Sequence, residues 1–85
     1  MLLVVARIGR PHGVHGEVTI EVRTGSPQSR FRIGNVLTTD PVEFGPLTIE
    51  SARDHNGVLL LKFKEISDRT AIEKLKNAIL LAEVD

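Results

Sequence analysis

Asn56-Gly57 separates two runs of strand-forming residues, Leu47 to Arg53 and Val58 to Lys64. A two-residue turn of this kind needs positive φ at both central positions, which Asn and Gly tolerate. Its backbone twist matches that of two antiparallel strands. This part of the chain is therefore expected to be a hairpin. On the second arm Leu59, Leu61 and Phe63 face in, and Lys62 and Lys64 face out. On the first, Leu47, Ile49 and Ser51 share a side.

The amino-terminal half has the same period of two. Val18, Ile20 and Val22 are expected inside, with Glu17, Thr19, Glu21 and Arg23 in water. Residues 2–8 place Leu2, Val4, Ala6 and Ile8 on one face of a strand that is apolar on both sides. A short strand is expected over Asn35 to Thr39 and a last one over Ala78 to Ala82. Pro27 suits the first position of one helical turn, with Phe31 and Ile33 anchoring the crossing that follows. Ser67 is placed to cap a helix over residues 68–76, whose apolar stripe is Ala71, Ile72 and Leu75 and whose left-handed stop is Asn77. Six short strands at regular spacing and one short helix near the C-terminus predict a mainly β fold, a small six-stranded antiparallel β-barrel.

Composition supports one modest core and excludes several classes. The 85 residues include ten Leu, nine Val and seven Ile, but no Trp, Tyr or Cys. Disulfides and cysteine-ligated zinc are thereby excluded. The apolar run at Leu2 to Val5 is too short for a leader or a membrane span, and the chain reads as a soluble cytoplasmic domain. Net charge is zero, yet residues 1–34 carry five Arg against two Glu, a balance of +3. That part is the expected face for an anionic partner.

The stretch GRPHGVHGEVTIEVR, residues 9–23, raises three possibilities: a phosphate loop, a metal site, or a shaped turn. A phosphate loop needs Gly-Lys-Ser/Thr leading into a helix, whereas these glycines lead into a strand. His12 and His15, with Glu17 near, do not fix a third ligand by spacing. No Gly-x-Ser-x-Gly elbow exists, and no catalytic residue is assigned. The reading that remains is a turn built by Pro11, Gly13 and Gly16, as Asn56 and Gly57 build the other. The same loop displays Arg10 and His12. With Arg23, Arg30 and Arg32 they are expected to gather at one barrel end and meet RNA phosphate. Without Tyr or Trp, base stacking is not expected.

Arg7 to Val18 resembles the opening signature of the RimM family, the bacterial ribosome maturation factors also called 16S rRNA processing proteins, in their amino-terminal domain. The shared core is Pro11-His12-Gly13, two variable residues, then Gly16-Glu17-Val18. Thr24 to Phe31 is similar to the family's Thr-Asp-x-Pro-Glu-x-Arg-Phe element, and Asp68 to Leu75 to its Asp-Arg-x-x-Ala-x-x-Leu helix. Departures are Ala6, Gly25, Gln28, His15 and the Lys76-Asn77 helix end.

The resemblance implies a translation-factor/reductase-like barrel over residues 1–85, the first of two domains, the second being a PRC-type barrel. It further implies a non-catalytic assembly factor without cofactor. Such a factor associates with the free small ribosomal subunit, assists maturation of its head and processing of 16S rRNA, and binds ribosomal protein S19 mainly through the second domain. Two other readings stay open: a flavin- or small-ligand-binding barrel of an enzyme, and a scaffolding barrel that meets only protein.

Overall fold

In a computed structural model, residues 1–13, 16–25, 27–66 and 68–83 are described. The strands are β1 (Leu2–His12), β2 (Glu17–Val22), β3 (Val36–Asp40), β4 (Leu47–His55), β5 (Val58–Phe63) and β6 (Ile79–Glu83). Two short helices intervene, α1 (Pro27–Arg30) and α2 (Arg69–Lys74), with a 3₁₀ turn at Val42–Phe44. The sheet closes in the order β1-β2-β5-β4-β3-β6, and every neighbouring pair is antiparallel. Closure leaves no free sheet edge among the described strands.

Each strand sends its inward residues into one cluster: Val5, Ala6 and Ile8 from β1, Val18 and Ile20 from β2, Leu37 from β3, and so on round to Leu80 and Ala82. Phe31 plugs the cluster after α1, and Ile72 and Leu75 close it from α2. Burying one such aliphatic side chain contributes roughly 1.5–3 kcal/mol. The hairpin turn has φ of 51° at Asn56 and 81° at Gly57, and His55 pairs with Val58 across it. Asn77, at φ 70°, ends the α2 segment in the left-handed region.

Several expectations are corrected. β1 continues to His12, so Pro11 is a strand residue opposite Val18 and not part of the turn. Its missing N–H is tolerated because the register slips by one between Ile8 and Pro11, a bulge. A second slip, against β6, makes Val5 the extra residue. Val5 and Ala6, expected on opposite faces, are therefore both buried, while Leu2, Leu3 and Val4 at the start of the strand are exposed. Val22 is 39% exposed at the end of β2, and Ile33 is 69% exposed instead of anchoring its segment. The cap of α2 is Asp68, whose carboxylate accepts from the Ala71 N–H. Ser67, expected in that role, lies outside the described residues.

Candidate functional site

The β1–β2 hairpin carries the residues singled out from the sequence, and its geometry begins at Gly9. A side chain there would place Cβ 2.4 Å from the Thr19 hydroxyl. With none, the strands approach, and Thr19 Oγ1 accepts the Arg10 N–H at 2.8 Å. This holds the backbone of the bulge and aims the exposed Arg10 at the turn after α2. There it lines a cleft of about 440 Å³ with Pro11, Glu73 and Lys76. Beyond β1, Gly13 and Gly16 have φ of 65° and 85°, the left-handed conformation that only glycine adopts freely. His15 lies outside the described residues.

The same hairpin reaches across the barrel wall. The His12 and His55 ring centroids are 5.2 Å apart, although β2 and β5 separate their strands. Arg53 of β4 donates from Nε and Nη2 to the two carboxylate oxygens of Glu17, at 2.7 and 2.8 Å. The end of the hairpin therefore curls over the outer side of β5 and β4. Leu60, paired with Thr19 on one side and Arg53 on the other, is only 1% exposed though it is outside the core cluster. Glu17, expected in water, is instead 7% exposed. Its hydrogen bond and then its charge hold the Arg53 guanidinium above its ordinary pKa, against a smaller desolvation effect.

The expected gathering of basic residues at one end is corrected by the register. Arg10 lies beside the turn end of the β1–β2 ladder, where His12 pairs with Glu17. The N–H of Arg23 donates to the Val5 carbonyl at the opposite end. Arg30 lines a second, smaller cleft with Asn35, Val36 and Glu83, also at that opposite end. The exposed Arg32 follows in the crossing to β3. The Asn35 amide pins this crossing by donating to the Ser29 and Arg30 carbonyls. Arg23 shares the Glu21 carboxylate with Arg7, whereas Arg30 and Arg32 have no ion pair with a described residue. The basic residues thus form two groups: Arg10 with His12, and Arg23 with Arg30 and Arg32.

Sequence reading missed Glu17–Arg53 and Lys76. Glu17 sat at an outward position of a strand pattern, which signals solvent, whereas Arg53 fell by period two on the side of Leu47, Ile49 and Ser51 until a register slip between Ile49 and Ser51 reversed its face. Lys76 looked like an ordinary helix-end cation. Nothing in local spacing announces partners that meet only through the order and register of the strands. Among the described residues no three His, Cys, Asp or Glu side chains converge as a metal site. No helix among them is long and apolar enough to cross a membrane.

Comparison with known proteins agrees with this architecture. Residues 3–85 match the family described as the RimM N-terminal domain. The chain is 60% identical over its whole length to the ribosome maturation factor RimM of Streptomyces coelicolor, covering 45% of that protein. It is 57% identical to that of Thermobifida fusca over 98% of its length, covering 49% of that protein. The chain thus spans about half the length of the curated relatives it matches. Two solved structures share the fold. The N-terminal domain of RimM from Thermus thermophilus superposes with a TM-score of 0.74 at 20% identity, over 96% of this chain and 88% of that one. A putative 16S ribosomal RNA processing protein RimM from Pseudomonas aeruginosa gives 0.78 at 23%, over 98% of this chain and 51% of that one. With the matched signature covering nearly every residue of the barrel, the chain belongs to the RimM N-terminal domain family.

Proposed function

We propose that this barrel is the amino-terminal domain of a cytoplasmic ribosome maturation factor. It works by binding, without catalysing a reaction. The complete protein, with a PRC-type second domain, associates with the free small subunit and assists assembly of its head and processing of 16S rRNA. Ribosomal protein S19 is engaged mainly through that second domain. The observation that carries this reading is the family match over residues 3–85, supported by relatives named as ribosome maturation factors. The barrel adds positive groups to the encounter: Arg23, Arg30 and Arg32 at one end, and Arg10, beside His12, at the other. Three or four phosphate contacts give a slope of log affinity against log salt of about −2 to −3. The test is co-sedimentation of the full-length protein with purified free small subunits and with complete ribosomes, over a salt series. Binding to the free subunit that weakens with salt supports the reading. Binding to neither particle overturns it.

A further inference from the structure

We propose that the cleft between β1 and the turn after α2 is a phosphate-binding site for RNA, with Arg10 and Lys76 as its two donors. The inference rests on the ribosomal reading above and adds a residue, Lys76, that the hairpin signature does not contain. Arg10 acts with Lys76 and not with the distant Arg23, Arg30 and Arg32.

Both cations are held from the backbone by neighbours of a single residue, Ile8. The Asn77 N–H donates to the Ile8 carbonyl and the Ile8 N–H donates to the Ala78 carbonyl, each at 2.8 Å. These bonds fix the turn that bears Lys76 directly against β1. Two residues after Ile8, the Gly9–Thr19 approach and the bond from the Arg10 N–H fix the backbone that bears the other cation. Bulges commonly re-aim a side chain beside a site, and this one lies where Arg10 lines the same cleft as Lys76.

Charge supplies the second argument. Both side chains are exposed, and neither makes a hydrogen bond or ion pair with a described residue. Among the described lining residues two are basic, Arg10 and Lys76, and one, Glu73, is acidic, so these residues carry a net charge of plus one. Two like charges fixed in one cleft repel each other until an anion enters between them. A guanidinium presents a donor fork that matches phosphate geometry, and an ammonium adds a point charge. The other described lining residue is Pro11, and no aromatic side chain to stack a base is among the described lining residues. Recognition is therefore of the backbone and not of base sequence.

The test uses the full-length protein with purified 16S rRNA and with purified free small subunits as separate probes. Arg10→Gln and Lys76→Gln are each expected to weaken both by roughly 3- to 10-fold. Each should reduce the steepness of the salt slope by about 0.7–0.9, one phosphate contact. Arg10→Lys should restore part of the loss, and unchanged melting temperatures show that the fold is kept. Folded variants that bind rRNA and subunit with wild-type affinity and slope overturn the cleft while leaving the ribosomal reading standing. Variants that lose the subunit but keep naked rRNA show that the cleft meets a protein carboxylate, which overturns the RNA assignment. A wild-type protein that binds neither probe overturns both readings.

Discussion

Glu17 and Arg53 are joined by two hydrogen bonds, 2.7 and 2.8 Å long, although β5 lies between their strands. The pair is asymmetric. The Glu17 side chain is 9% exposed and that of Arg53 is 52% exposed. Removing the arginine takes a two-pronged cationic partner from a carboxylate held away from water, whereas removing the carboxylate leaves the arginine in contact with it. Weakening the compensation of a buried charge is the more costly loss. Arg53→Gln should therefore lower the melting temperature more than Glu17→Gln. Adding Arg53→Gln to the Glu17→Gln background should cost little further. Equal losses that simply add would show that the two residues do not act as a pair. Thermal denaturation of the two single variants and the double variant measures this directly.

Glu65 latches the end of β5 to the start of β4. It accepts the Thr48 N–H at 2.7 Å and the Thr48 hydroxyl at 2.6 Å. Desolvation pushes its carboxyl pKa up, but these hydrogen bonds, with a smaller contribution from Lys64, outweigh it and leave the pKa lowered. A carboxyl lowered on folding contributes stability that is complete above its unfolded value, about 4.3 for Glu. That contribution is lost as pH falls through the lowered value. Glu65→Gln should thus reduce stability at neutral pH and flatten the acid limb of melting temperature against pH. A variant whose acid limb overlays that of the parent protein would remove Glu65 from the account.

The Gly9–Thr19 approach predicts coupling between two substitutions. Gly9→Ala alone drives Cβ into the Thr19 hydroxyl and should cost about 1–3 kcal/mol, the usual range for overpacking. Thr19→Ala removes the obstructing oxygen, leaving neighbours at 3.4 Å and beyond. The double variant should then be less destabilised than the two single losses summed, by at least ~0.5 kcal/mol. Chemical denaturation midpoints of the set would reveal the coupling. Strict additivity would count against the close approach.

At Gly57 the constraint is conformational and not steric. Nothing lies within 4 Å of the place a Cβ would occupy, yet φ is 81°. Gly57→Val should cost more than ~1 kcal/mol, because a β-branched residue is strained at positive φ. Gly13, at φ 65° and equally open, should tolerate Asn better than Val for the same reason. An unchanged melting temperature in Gly57→Val would contradict the turn geometry.

Much of the barrel was legible from order along the chain. Period-two alternation marks Val18, Ile20, Leu61 and Phe63 as inward whatever the tertiary partner, because side chains of a strand must alternate. Asn56-Gly57 dictates its own turn, since positive φ at both positions is a local property. The helix stripe at Ile72 and Leu75 and the stop at Asn77 are local in the same way. The basic excess of residues 1–34 is likewise plain in the sequence, and so is the hairpin signature.

Tertiary structure alone decided what depends on which strands become neighbours. The two register slips in β1 bury the adjacent Val5 and Ala6 together and accommodate Pro11 within the strand, because a slip of one residue reverses every face that follows it. The strand order β2-β5-β4 brings Glu17 to Arg53, 36 residues away in sequence, and converts an expected surface carboxylate into a buried one. Antiparallel pairing of β1 with β2 sends Arg10 and Arg23 to opposite ends of the ladder, although both follow strand-forming runs in the sequence. It is the stitching of the α2–β6 turn to Ile8 that gives Arg10 its neighbour Lys76. A linear pattern records which face a residue prefers. Only the closed sheet, through its register, sets what that face meets.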